Sequence, residues 1–149
     1  METIFGFFHQ GFSFVIPFIV LLGVLIFVHE LGHFSVAKFF GVRVEVFSLG
    51  FGRKILQKKW GDTVYCISAI PLGGYVKMFG DDPSVNVPAA ERKHSFLHQP
   101  VGPRIAVVLA GPFMNALFAL LLFVIIAAVG EESIKPILGD IYSGTPAYD

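Results

Sequence analysis

Residues 105–130 pass through 26 positions without one ionisable side chain, and residues 12–28 carry no charge before that apolar run continues through His29, Glu30 and His33 to Phe40. A helix rises about 1.5 Å per residue, so roughly 20 apolar residues cross a hydrocarbon core of about 30 Å. Both windows are long enough. The rest of the composition agrees: 54% of the 149 residues are hydrophobic, 17 are Phe, and the mean hydropathy is +0.71. A zero net charge and a single cysteine, Cys66, argue against a disordered chain, a nucleic-acid binder and a disulfide scaffold. A cleaved signal peptide is disfavoured for the first window, because Glu2 and no Lys or Arg precedes it and no small-residue cleavage site follows.

Ten of the eleven basic residues (Lys38, Arg43, Arg53, Lys54, Lys58, Lys59, Lys77, Arg92, Lys93 and Arg104) fall after residue 28 and before residue 105. Basic connections stay on the cytoplasmic side, which predicts a cytoplasmic segment between the helices and both termini outside. Within it, Val42-Arg43-Val44-Glu45-Val46 alternates with period two and Thr63-Val64-Tyr65-Cys66-Ile67 is β-branched and aromatic. Gly50-Phe51-Gly52, Trp60-Gly61-Asp62 and Pro71-Leu72-Gly73-Gly74 punctuate these runs as turns, so residues 42–78 are expected to form a small hairpin or meander with an unpaired edge at 42–47 or 63–67. Residues 81–103, with four prolines, read as a loop returning to the membrane.

The expected fold is therefore an α-helical integral membrane protein, two transmembrane helices joined by a cytoplasmic, membrane-associated β-hairpin and loop. Its parts are residues 1–40 (N-terminus and first helix), 41–104 (hairpin and loop), 105–130 (second helix) and 131–149 (external tail).

The chemistry lies in His29-Glu30-Leu31-Gly32-His33. Helix positions i and i+4 share a face, so both imidazoles can reach one metal while the intervening Glu meets its water. Ionisable groups within a membrane helix are costly and mark function. If the first helix starts at Pro17 and ends near Phe40, His33 and His29 lie roughly 10 and 17 Å from its cytoplasmic end. Asn115, roughly 15 Å into the second helix, is then level with them. Gly111 permits close helix approach, and Pro112 cannot donate to Val108, which kinks the helix or frees that carbonyl. For Asn115, an interhelical structural hydrogen bond and a role in the site are equally open.

These residues carry a resemblance. Phe27-Val28-His29-Glu30-Leu31-Gly32-His33-Phe34, Gly41-Val42-Arg43-Val44, Gly50-Phe51-Gly52, Pro71-Leu72-Gly73-Gly74-Tyr75-Val76-Lys77-Met78 and Ala110-Gly111-Pro112-Phe113-Met114-Asn115 resemble, in order, the N-terminal part of the site-2 proteases, intramembrane zinc metalloproteases of the regulator-of-sigma-E type. The resemblance implies Zn2+ held by His29 and His33, Glu30 as general base and acid, and a hairpin that presents an edge to substrate. Asn115, Gly50, Gly52, Val44 and Val46 become candidates for substrate binding or for an oxyanion site. It further implies a multi-pass protein of the bacterial inner membrane that cleaves a single-span membrane substrate such as an anti-sigma factor. Leu138-Gly139-Asp140-Ile141 and Ser143-Gly144-Thr145-Pro146-Ala147 are similar to the opening of a PDZ domain.

The family's third ligand is an aspartate in an Asp-Gly motif on a later membrane helix, and a catalytic zinc normally takes three protein ligands. Asp62, Asp81, Asp82, His94 and His98 have no argument placing them at the required depth, and Asp140 lies beyond the second helix. The chain is accordingly expected to be an N-terminal fragment, or a split or truncated protein, inactive alone. The rival expectations are an inactive homologue serving as a membrane adaptor and, less well matched by the few polar residues, a metal-ion carrier.

Overall fold

A computed structural model describes the backbone of residues 2–130 and the side chains of residues 13–130. The chain runs α1 (Glu2–Phe39), β1 (Val44–Trp60), β2 (Thr63–Met78), a 3-10 turn (Ala89–His94) and α2 (Val101–Val129). Two segments, Ser13–Phe39 and Val101–Val129, are long and apolar enough to cross a membrane. With a paired β segment between them, this architecture fits a membrane protein. The described residues up to Ala119 form one compact unit; in the second, residues 120–129 are the end of α2, followed by Gly130.

Pro17 falls inside α1, not at its start. The apolar sequence continues on both sides of it, and the helix runs through the proline despite the lost donor and the crowding of the carbonyl four residues earlier. At the other end the helix stops where a glycine can turn left-handed: Gly41 has φ +75°. Its N–H donates to the Lys38 carbonyl (3.0 Å) and that of Val42 to the Ala37 carbonyl (2.9 Å). This pair of bonds is the Schellman arrangement, with Val42 folding back onto Ala37. Both residues belong to the buried cluster Ala37, Val42, Val44, Met78 and Val107, so the helix stop, the root of the β segment and the start of α2 share one core. α2 begins four residues earlier than the sequence suggests, at Val101, because Pro103 sits in the first turn, where a missing N–H costs no helix bond.

The β segment is more folded than a simple hairpin. Trp60 pairs with Thr63 across the Gly61-Asp62 turn, Gly61 at φ +60°, and the antiparallel ladder runs back through Lys58 with Tyr65 to Lys54 with Ser68. Both strands then bend. Residues 46–49 lie antiparallel to 74–77, from Val46 with Lys77 to Leu49 with Gly74. The same four residues also run alongside 64–67 in the same direction, from Val46 with Val64 to Leu49 with Ile67. Residues 46–49 are thus an inner strip between the two arms of β2. Gly50 (φ +89°) makes the bend in β1, and a Cβ there would meet the Ile70 carbonyl at 2.7 Å.

That register corrects the expected edge. Residues 46–49 and 64–67 each have partners on both sides. Val44 is fully buried, and its carbonyl accepts the Thr63 hydroxyl at 2.8 Å. Alternating β-branched residues mark a strand, but they do not distinguish an inner strand from an outer one. The outer strips are residues 54–60 and 74–78. The following loop is stitched to the root by backbone bonds from Phe79 to Arg43 (2.8 Å), Arg43 to His94 (3.0 Å) and Phe96 to Phe79 (2.8 Å), and by the Arg43–Glu91 ion pair at 2.8 Å.

Candidate metal centre

His29 and His33 stand one turn apart on α1, their rings 4.8 Å apart between centroids and nearly perpendicular. Their Nε2 atoms approach to 3.2 Å. Both atoms face Gly111 of α2, where a Cβ would lie 2.6 Å from His29 Nε2 and 2.5 Å from His33 Nε2. Only a residue without a side chain leaves that cradle open. The helices can come so close because Gly32 faces the Ala110 carbonyl, which a Cβ on Gly32 would meet at 2.5 Å.

The other ring nitrogens also meet α2. His33 Nδ1 lies 2.7 Å from the Val107 carbonyl. A carbonyl only accepts, so Nδ1 carries the proton and Nε2 of neutral His33 presents a lone pair. His29 Nδ1 lies 3.4 Å from the Asn115 amide nitrogen, while Asn115 Oδ1 is buried with no hydrogen-bond partner. Asn115 is therefore beside His29, although α2 begins at Val101 and not at residue 105, the start on which the depth estimate rests. The carbonyl taken by His33 is that of Val107, not the Val108 carbonyl that Pro112 would free. Residues 107, 111 and 115 are spaced by four, so once Asn115 is assigned to face His29, the same helix face passes through Gly111 and Val107. Gly111 stands out in the sequence by its size; that spacing is the signal by which Val107 could have been found with it.

Glu30 lines a cavity of about 280 Å3 with His33, Val76, Met78, Asp81, Phe96, Val107 and Val108. Gly74 packs against it, close enough that a Cβ would lie 3.0 Å from Glu30 Cγ. The outer strip of β2 thus runs beside the carboxylate. Gly50 lies against the Ser68 and Ile70 carbonyls and Gly52 against the Ile70 side chain instead, and Gly50 also lines an apolar cavity of about 350 Å3 between α1 and the β segment.

As a test of metal fit, the cradle left open by Gly111 and the two converging imidazoles suit two positions of a nitrogen-liganded ion. Among the described residues no group of three His, Cys, Asp or Glu could hold a metal. Asp81 shares the Glu30 cavity and accepts the Met78 N–H at 3.1 Å. Asp82 accepts from the Ser84 hydroxyl at 2.7 Å and N–H at 2.8 Å, which hold its exposed carboxyl below the ordinary range. His94 bonds the Gly41 carbonyl at 3.0 Å, His98 bonds the Ser95 hydroxyl at 2.8 Å, and Asp62 sits in the β-turn. Asp140 and the PDZ-like stretch lie outside the described residues.

The model of peptidase family M50 matches residues 17–145. The chain belongs to this family. Among curated relatives, the regulator of sigma-E protease RseP of Escherichia coli K12 is 46% identical over 132 residues, 87% of this chain and 29% of that protein. A protein of Vibrio cholerae named "Putative zinc metalloprotease" is 46% identical over 127 residues (85% and 28%), and one of the same name in Helicobacter pylori is 42% identical over 123 (83% and 35%). The chain thus spans roughly a third or less of the length of these M50 relatives.

Proposed function

We propose that this chain carries the zinc-binding first part of an intramembrane metalloprotease of the M50 family, which hydrolyses peptide bonds within membrane-spanning segments of a single-span protein such as an anti-sigma factor. The observation that carries it is the convergence of His29 and His33 Nε2 on the Gly111 cradle, with Glu30 beside them lining a cavity. The M50 membership and the relatives named as zinc metalloproteases support the identity of the metal.

On this reading α1 and α2 span a bacterial inner membrane, residues 41–104 are cytoplasmic and both termini lie outside; the ten basic residues between the helices support that orientation. Residues 131–149 would begin a PDZ domain. Zinc, when bound, supplies the Lewis acidity that acidifies water and polarises a peptide carbonyl. His29 and His33 hold it through Nε2. Glu30 accepts the proton of the attacking water from the cavity side and returns it to the leaving amine. The third ligand comes from outside the described residues, as the Asp-Gly helix implied by the resemblance.

A membrane-spanning substrate is helical and must unwind before a carbonyl can reach the site. An added strand would replace the lost hydrogen bonds. We place it along residues 74–78, the outer strip beside Glu30, with the Gly50 and Gly52 bend shaping the sheet and Val44 and Val46 acting from within it. The 149-residue chain alone is expected to be inactive. Co-expressing it with a C-terminal part that carries the Asp-Gly helix should restore cleavage of a single-span reporter, and Glu30→Gln should abolish that cleavage while zinc is retained. Chelator-sensitive cleavage by this chain alone would overturn the division, and full activity of Glu30→Gln would overturn the role of Glu30.

A further inference from the structure

We infer that Asn115 is a positioning residue for the metal, one that sets the tautomer of His29 by turning its side-chain oxygen toward His29 Nδ1. The inference rests on the zinc reading above. A neutral imidazole has one N–H, so a histidine that ligates through Nε2 must carry its proton on Nδ1. His33 already meets this requirement through the Val107 carbonyl at 2.7 Å. His29 Nδ1 faces Asn115, whose amide nitrogen lies 3.4 Å away.

Two N–H groups cannot satisfy each other. The amide oxygen, buried and without a partner, is the acceptor that His29 lacks. Amide nitrogen and oxygen differ little in shape, and a half-turn about the Cβ–Cγ bond exchanges them without moving either helix. After that turn Asn115 Oδ1 accepts the His29 Nδ1–H, the amide NH2 takes the buried position the oxygen leaves, and His29 Nε2 is left as a lone pair opposite that of His33. Both ligands are then oriented from one face of α2, by residues eight positions apart. An outer partner of this kind fixes ring orientation and ligand basicity, and its loss typically lowers metal affinity about 10- to 100-fold.

The test is zinc binding by the full 149-residue chain in detergent, titrated against a fluorescent zinc indicator, with Asn115→Leu and Asn115→Asp. Leu keeps the branching at Cγ and removes the acceptor; Asp keeps an acceptor at the same place. We expect Asn115→Leu to weaken zinc binding about tenfold or more, Asn115→Asp to stay close to wild type, and Asn115→Leu to add nothing in a His29→Ala background, because its effect passes through that ring. Equal loss in the Leu and Asp variants would make Asn115 a structural contact only and overturn the inference. So would an Asn115→Leu chain that binds zinc like wild type while His29→Ala does not, an outcome that leaves the zinc reading standing. Wild type and His29→Ala binding zinc equally would remove the zinc reading itself, and this inference with it.

Discussion

Gly111→Ala separates the helix from the site, because the two respond with opposite sign. In a helix interior alanine is favoured over glycine by about 1 kcal/mol, so α2 taken alone should gain stability. The new Cβ, however, would lie 2.5 and 2.6 Å from the two Nε2 atoms, where ordinary contact begins at about 3.4 Å. The imidazoles would have to retreat by about 0.8 to 0.9 Å, roughly two-fifths of a zinc–nitrogen bond of about 2.0 Å. Imidazoles can rotate away, so the fold survives and the convergence is lost. A displacement near 1 Å costs on the order of 100-fold in a positioned site, which for binding corresponds to about 2.7 kcal/mol. The assay is zinc affinity by indicator competition, run beside thermal unfolding of the same detergent-solubilised samples. Gly102→Ala is the control, since nothing lies within 4 Å of a Cβ there. Zinc affinity within about threefold of wild type in Gly111→Ala would refute the cradle.

Val46→Pro should break the β segment, since Val46 is paired on both sides and proline is tolerated in sheets only at edges and bulges; limited proteolysis of membrane vesicles should show a new cleavage between residues 44 and 78. Ile55→Pro, at an irregularity of the outer strip, should be resistant by comparison, and equal sensitivity would contradict the register. A cysteine in place of Lys58 should be labelled by a membrane-impermeant maleimide only when the cytoplasmic side is accessible, and labelling from the outer side would invert the proposed topology.

The convergence of His29 and His33 could be read from the chain because a helix converts a spacing of four into a shared face whatever surrounds it. The partner surface could not be read so directly. Residues 105–130 are apolar on every side, so periodicity gives no rotational phase, and Asn115 is the polar residue from which a phase can be taken. Its contact with His29 fixes that phase, and residues 111 and 107 follow on the same face. The β segment resisted for another reason. Its strands were visible in Val44, Val46 and Val64, but which strip lies between which depends on the bends at Gly50 and at residues 71–74. A bend fixes a pairing only after the chain has turned, and no local preference records it.

α1 on its own is an ordinary apolar helix carrying two histidines, and its sequence would allow each ring either tautomer and several rotamers. What would make a metal centre of it, on the proposed reading, is supplied by α2: a carbonyl at Val107, a gap at Gly111 and an amide at Asn115, all on one face. That face can reach the rings only if the helices are in contact, which Gly32 against Ala110 permits. Val107 is at once the acceptor for His33 and a member of the buried cluster that joins the Schellman stop of α1 to the root of the β segment. The orientation of a ligand is therefore mechanically continuous with the strip beside Glu30, where we place the substrate. On the proposed reading, a strand docked along residues 74–78 would bear on Val76 and Met78, which pack on the core that holds Val107, so docking and the orientation of His33 would share one small cluster of side chains.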